Sequence, residues 1–371
     1  MTFPVTDPVF QTQVFTGLLL LVLAIFFRQR TEGASLTPTV STEIKGFAML
    51  AIVLAHIGYY LAQDTRFLFP LSIIAGVGVN LFLLLSGYGL THSMLNKHST
   101  ILSFYQRRVS RVLIPLWIVL VILLIADRIF LQLSYPLVTI IQSFFGFFPK
   151  ADLYQSLDAP MWYLTLILFY YLFFPLVFSR KRPVLSACIL AALGACCLLL
   201  PLPVSEGVIG NYRSHIFAFP IGVLIAGLFT ASHPKLRSLS EKVTGFFQHK
   251  TWIEQVIRWA LIVILSCLFA YTAVYSGIGQ GANIEQSISL ITVFCTLGVF
   301  LLKPVENRFL YWVGVYSYEI YLLHWPLMYR YDIFYRWLPA SVATFAYLIL
   351  LIGIGWGFQQ LSQVVIKKLK I

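Results

Sequence analysis

The amino-acid sequence predicts an all-α integral membrane protein with about 11 transmembrane helices. Hydrophobic residues make up 59% of the 371 residues and charged residues only 11%, whereas soluble domains carry roughly 25% charged residues. Apolar runs of roughly 17 to 25 residues, long enough to cross a bilayer as helices, recur almost from end to end. They leave no long polar segment, so one membrane-embedded unit is expected.

These apolar runs predict the helices in order along the chain. The first is expected to be a retained span, because no basic segment precedes it and no small-residue cleavage site follows it. The segment 132–160 is the longest loop, and its "VTIIQSFFGFF" is expected to form a short amphipathic piece at the interface. The predicted spans are 11–27, 44–62, 69–91, 111–131, 161–179, 184–200, 213–230, 255–275, 286–302, 309–329 and 338–360.

The distribution of basic residues predicts the orientation. Most of the 26 lysines and arginines fall in alternate connections and in the C-terminal tail. The positive-inside rule therefore places the N-terminus outside and the C-terminus in the cytoplasm. This pattern also accounts for the net charge of +12, so nucleic-acid binding is not predicted. The opposite face carries only Arg66, Arg128, Lys150, Arg213, Arg330 and Arg336.

The second span carries a histidine in the run "EIKGFAMLAIVLAHIGYY", residues 43–60. His56 follows Lys45 by eleven residues, or about 16 Å of helix, which is near the midplane. In the tenth span Glu319 follows Arg308 by the same interval, so the two side chains are expected to meet. A carboxylate beside an imidazole can orient it as a general base. The alternative is a purely structural bond between helices.

Three arginines precede the fourth span in "SFYQRRVSRVLIPLW". Arg107, Arg108 and Arg111 are three and four residues apart, so they share one helical face. Forked guanidinium groups suit a ligand with several phosphates. The alternative is that they only set the topology and contact anionic membrane lipids.

Two other spans carry candidate residues that line the site. In the third, Ser86 is a candidate nucleophile or acyl carrier, although a helical serine usually bonds back to a carbonyl. In the fifth, Trp162 and Tyr163 form either an interfacial aromatic belt or the wall of a sugar site. All five cysteines fall in apolar stretches without metal-ligand spacing, so neither a metal site nor a disulfide framework is predicted.

Taken in order, these motifs resemble the membrane-bound acyltransferase-3 family. The likeness runs from Glu43 to about Pro326, with the last span completing a ten-helix core. It divides the chain into 1–42, an added N-terminal helix and cytoplasmic linker, and 43–371, the core. After the basic residue and histidine, the motifs are "NLFLLLSGY", "FYQRRVSRVLIP", "MWYLTLILFYYLFFP" and "YSYEIYLLHWP".

The resemblance assigns roles to individual residues. Lys45 and His56 match the family's basic residue and histidine separated by ten intervening residues, and the three arginines match its basic segment. Ser86 matches the serine-glycine element, and Glu319 and His324 match the late histidine element. The chain departs from the pattern at Lys45, where arginine is usual, and at Asn80, where an acidic residue is frequent. Lysine lacks the guanidinium fork, so Lys45 is a weaker candidate clamp.

The resemblance implies an integral O-acyltransferase of the plasma or inner membrane. It would move an acyl group, most often acetyl, from cytoplasmic acyl-CoA to a hydroxyl of a cell-surface glycan or lipid-linked sugar, with no bound cofactor. Transfer could be direct or pass through an acylated Ser86 or His56. The rival hypothesis is an exporter or flippase of a lipid-linked glycan that uses the same buried polar residues.

Overall fold

The structure is a computed structural model that describes residues 2–30, 36–97, 100–150, 157, 159–200, 208–229, 238, 251–276 and 282–369. Helices dominate this part of the chain, as the sequence predicts. Six continuous helical runs are long and apolar enough to cross a membrane, which confirms an all-α, multi-pass membrane protein. These six runs are Pro8–Ile25, Pro38–Leu61, Ile101–Phe130, Trp252–Tyr275, Ile284–Leu302 and Ala340–Leu369. The total of 11 spans and the orientation stay predictions.

The helices form one bundle, and most begin within six residues of the start of a predicted apolar run. A proline occupies the first turn of several of them, where its missing N–H costs nothing. The helices are Pro8–Ile25, Pro38–His56, Ala75–Asn96, Ile101–Arg108, Ile114–Phe130, Leu137–Phe144, Trp162–Val177, Pro183–Leu199, Ile209–Arg213, Ala218–Gly227, Trp252–Tyr275, Ala282–Leu302, Arg308–Val315, Ser317–Trp325 and Ala340–Leu369.

The helix Pro38–His56, here called the His56 helix, forms the centre of the bundle. In the continuous run Pro38–Leu61 that contains it, about 72% of the most apolar window is buried, against 11% for Trp252–Tyr275. It packs against Ala75–Asn96, Arg308–Val315 and Ser317–Trp325. The peripheral helices instead expose large apolar side chains, as surfaces that face lipid do.

A short antiparallel ribbon, absent from the sequence prediction, joins the N-terminal helix to the core. Phe27–Gln29 pairs with Val305–Asn307. Beside it the fully buried Glu43 accepts hydrogen bonds from Lys303 Nζ at 2.6 Å and from the Asn307 N–H. Just before the start of the N-terminal helix Pro8–Ile25, Phe3 stacks on Tyr335. The N-terminal helix is therefore fixed to the core at both ends, while the division at residue 42 stays a prediction.

The predicted span 309–329 is not one straight helix. It consists of Arg308–Val315, then Ser317–Trp325, and then a π-helical turn at Pro326–Arg330. Tyr316 separates the first two pieces with φ −99° and ψ 13°. The amphipathic piece expected in 132–160 is present as the helix Leu137–Phe144.

Candidate active site

One large cavity of about 1210 Å³ lies along the His56 helix. Lys45 and His56, which are about 16 Å apart along that helix, both line it, together with Glu319 and the three arginines. Single-ligand pockets usually measure roughly 300–1,000 Å³. The cavity therefore has room for parts of two substrates and connects a basic end to the buried histidine.

Two glycines set the register between the two helices that carry the histidines. A Cβ at Gly46 would overlap the carbonyl of Leu310, and a Cβ at Gly314 would overlap the carbonyl of Thr42. Only glycine permits this backbone contact. Ten residues beyond each glycine stand His56 and His324, so the glycine contact brings the two imidazoles to the same level.

The two imidazoles are hydrogen-bonded: His56 Nδ1 lies 2.9 Å from His324 Nε2. His324 is fully buried, whereas His56 is half-buried and lines the cavity. His324 Nδ1 lies 2.8 Å from the carbonyl oxygen of Tyr321 and 3.1 Å from that of Ile320. A carbonyl can only accept, so His324 Nδ1 carries the proton and its Nε2 is the acceptor.

This chain of bonds determines the tautomer of His56. Its Nδ1–H donates to His324, so in the neutral ring Nε2 keeps its lone pair. A ring nitrogen with a lone pair, held by a buried partner and facing a cavity, has the arrangement of a general base. The buried His324 therefore holds the ring of His56 from behind.

The expected pairing of His56 with Glu319 is corrected by this geometry. His56 instead donates its hydrogen bond to His324, which lies five residues, or about 7.5 Å, beyond Glu319 on the helix Ser317–Trp325. Glu319 lines the cavity and faces Gln359. Counting depth from Arg308 fails because the glycine contact, not the basic residue, sets the register: Lys45 precedes Gly46 by one residue, whereas Arg308 precedes Gly314 by six.

The basic end of the cavity, here called the basic mouth, is formed by Lys45, Arg107, Arg108 and Arg111. Arg108 is held by its neighbours: its guanidinium carbon lies 5.1 Å from the Tyr171 ring centroid. Lys45 and Arg108 lie close enough to repel each other. Like charges gathered at a partly buried site favour binding of an anion.

Three π-helical turns adjoin these residues. Ile57–Leu61 directly follows His56, Val109–Leu113 contains Arg111, and Pro326–Arg330 directly follows the helix of His324. The turns interrupt the regular helix next to His56 and the arginines. Such turns inside helices occur frequently at functional sites.

The other predicted residues are placed as follows. Ser86 lines the cavity near the basic mouth, with its hydroxyl 3.4 Å from that of Tyr171. Trp162 and Tyr163 also line it. The Tyr163 ring lies 5.6 Å from that of Tyr321, whose ring lies 6.2 Å from His324. An aromatic wall therefore leads from Trp162 towards the histidine pair.

Asn80 was expected to line the site but lies behind the cavity wall. It is fully buried, donates to Ser289 Oγ at 2.8 Å, and lies 2.9 Å from His215 Nδ1. His215 and Ser289 both line the cavity, as do Ser214 and Glu285. Sequence reasoning missed this group, although His215, like His56, is a histidine within a predicted span.

Comparison with known proteins gives the family. The acyltransferase-3 family, described as an acyltransferase domain, matches residues 44–359. A comparison with curated proteins found no match. The matched range contains the whole basic mouth and both histidines of the pair. The chain therefore belongs to the acyltransferase-3 family and is a multi-pass membrane acyltransferase.

Proposed function

We propose that the protein transfers an acyl group, most often acetyl, from acyl-CoA to a hydroxyl of a glycan or lipid-linked sugar. The observation that carries this proposal is the bond sequence from the Tyr321 carbonyl through His324 to His56, within a cavity that also holds the basic mouth. A base and an anion site in one cavity suit a transfer from an anionic donor.

The donor's phosphates bind at the basic mouth. Acyl-CoA carries a pyrophosphate and a ribose phosphate, and guanidinium groups make strong, charge-assisted bonds to phosphate oxygens. Arg107 and Arg111 are exposed at the surface of the mouth, whereas Arg108 and Lys45 are half-buried. The thioester arm then extends about 16 Å along the His56 helix to reach His56.

His56 takes the proton of the acceptor hydroxyl at Nε2 while the hydroxyl oxygen attacks the thioester carbonyl. The tetrahedral intermediate collapses with cleavage of the carbon–sulfur bond. The imidazolium returns its proton to the leaving thiolate, so the products are the ester and free CoA. General base catalysis of this kind contributes about 10² to 10⁴ in rate.

The arrangement supports direct transfer. Ser86 contacts Tyr171 near the basic mouth, and His56, the candidate base, has its described hydrogen bond to His324 instead. A serine nucleophile needs a base within hydrogen-bond reach. Glu319, five residues before His324, lines the same cavity, and we propose that it shapes the path of the acyl arm instead of orienting His56 as the sequence predicts.

The test is CoA release by the purified protein. In lipid nanodiscs supplied with acetyl-CoA and a glycan extract from its host, the protein should release free CoA and acylate the glycan, detected by mass spectrometry. The rival exporter or flippase should release no CoA. Absence of CoA release from a folded protein that binds acetyl-CoA would refute the proposal.

A further inference from the structure

One face of the last helix, Ala340–Leu369, forms part of the cavity wall. Its lining side chains are three or four residues apart, which places them on one side of the helix. Only Gln359 has been described above, as the neighbour of Glu319. The side chains of this face are Gln359, Ser362, Gln363 and Ile366.

Two contacts show towards which end of the cavity this face runs. A Cβ at Gly355 would lie 3.5 Å from the side chain of Ile320, one turn before His324. One turn further along the last helix, Gln359 donates to the Val315 carbonyl at 3.4 Å. The last helix therefore runs from the histidine pair towards the glycine contact, and the turn after Gln359 reaches the basic mouth.

Ser362 presents a buried hydroxyl that has no partner. Its side chain is only 3% exposed, lines the cavity, and forms no hydrogen bond with the described part of the chain. A helical serine usually bonds back to a carbonyl one turn earlier, and an unpaired buried polar group is costly. Arg108 Nε, on another helix of the basic mouth, is likewise buried without a partner among the described residues. Two such atoms in one wall indicate a polar ligand.

Gln363 adds a group of a different kind from the arginines. Guanidinium groups only donate, which suits phosphate oxygens. The exposed Gln363 amide both donates and accepts, which suits the edge of a nucleobase. Glutamine pairs in this way with N6 and N7 of adenine. Ile366, three residues further along the same face, provides an apolar surface for the ring.

The path of the donor leads its nucleoside to the same place. In the proposed function the phosphates bind at the basic mouth and the thioester arm extends inward to His56. The nucleoside is attached on the other side of the pyrophosphate, so it stays at the mouth. There the last helix offers Ser362 and Gln363 beside the cations of Lys45 and Arg108.

We infer that the face of the last helix with Ser362 and Gln363 binds the adenine nucleoside of the acyl donor. The inference rests on the proposed function, since it names the part of the donor that this face recognises. Gln363 pairs with the edge of the base, Ser362 bonds to the nucleoside, and Ile366 contacts the ring. The donor is therefore selected by its base as well as by its phosphates.

The experiment compares two ligands of equal charge that carry no acyl group. Adenosine 3′,5′-bisphosphate and inosine 3′,5′-bisphosphate are titrated into the full chain in nanodiscs by calorimetry, with empty nanodiscs as blank. Inosine replaces the N6 donor by an oxygen, which the amide cannot pair with in the same way. The adenosine compound should bind about 5- to 150-fold more tightly.

Gln363→Ala should remove this preference, with the two compounds then bound about equally. Gln360→Ala is the matched control, because Gln360 is an exposed neighbour that does not line the cavity. It should retain the full preference for adenosine.

Ser362→Ala separates binding from folding. It should lower the affinity for adenosine 3′,5′-bisphosphate about 2- to 12-fold, as the loss of one hydrogen bond does. Thermal stability should not fall, because this hydroxyl has no bond to lose within the described part of the chain. Thr91→Val removes a second unpartnered buried hydroxyl, which lies outside the cavity, and should change neither property.

The inference is overturned if the parent binds the two compounds equally or binds neither, if Gln363→Ala keeps the preference, or if Ser362→Ala keeps the parental affinity. The proposed function fails separately. If the preference and the effects of both variants are found but no CoA is released from acetyl-CoA, the nucleoside site stands and the transfer reaction falls. If CoA is released without any preference for adenosine, the reaction stands and this assignment falls.

Discussion

His324 is predicted to act by fixing the tautomer of His56. Replacing His324 by alanine, glutamine or asparagine tests this prediction. In His324→Ala the Nδ1–H of His56 loses its acceptor, and an unsatisfied buried donor costs about 1–3 kcal/mol. The ring then shifts to the tautomer that carries its proton on Nε2, which cannot act as a base. At about 1.4 kcal/mol per tenfold, CoA release should fall by about 5- to 150-fold.

Two amides make this prediction specific. Gln at position 324 can place its oxygen near the position of Nε2, where it accepts from His56 Nδ1 at a site now 2.9 Å away. Asn reaches only as far as the position of Nδ1, where its amide can donate to the Tyr321 carbonyl but cannot accept from His56. Gln should therefore restore most of the lost rate and Asn should not.

The assay is CoA release from acetyl-CoA under saturating donor, with acetyl-CoA affinity and thermal stability measured on the same samples. Affinity should not change across the series, because the basic mouth is untouched. If Gln and Asn reduce the rate equally, or if Ala retains the parental rate, His324 only packs against His56 and the positioning role is refuted.

Three further predictions follow from the fold and the charges. Replacing the three arginines of the basic mouth by alanine should weaken acetyl-CoA binding at least about tenfold, while the same charge loss at 180–182 should not; equal affinity in both folded variants would contradict the donor site. Gly46→Ala should lower stability by about 1–3 kcal/mol through overpacking and also reduce CoA release, whereas Gly353→Ala, which has open space around it, should do neither. Single cysteines introduced at 97–103 and 276–284 should react with an external thiol reagent only in the second range, and the reverse would overturn the predicted orientation.

The sequence predicts those features that depend on composition and on single residues. The membrane class follows from apolar content, the predicted role of His56 from the cost of placing a polar group at membrane depth, and that of the arginines from their shared helical face. Each of these can be recognised without knowing which helices touch. The structure confirms the class and gathers these residues around one cavity.

The partner of His56 could not be obtained from depth counting. That count assumes that the two helices start level at their basic residues, but the Gly46–Gly314 contact sets their relative height and offsets the two basic residues by five positions. This contact is a feature of tertiary packing, which depth counting does not consider. The motif "YSYEIYLLHWP" already contained His324. The signal that would have paired it with His56 was the position of Gly46 and Gly314, each ten residues before its histidine.

The polar cluster around His215 and the ribbon were missed for a related reason. Residues such as His215 and Glu285 are 70 positions apart, and only the packing of their segments unites them. The ribbon strands Phe27–Gln29 and Val305–Asn307 have three residues each, too few to show an alternating pattern. Their pairing depends on the neighbouring helices.

The central claim, that His56 is the general base of acyl transfer, is tested most directly by CoA release from acetyl-CoA in His56→Ala. A single polar bond within a membrane bundle contributes on average about 0.6 kcal/mol, so the variant should fold and bind acetyl-CoA as the parent does. Its rate of CoA release should fall by on the order of 10² to 10⁴. A folded His56→Ala protein that releases CoA at near the parental rate would contradict the account.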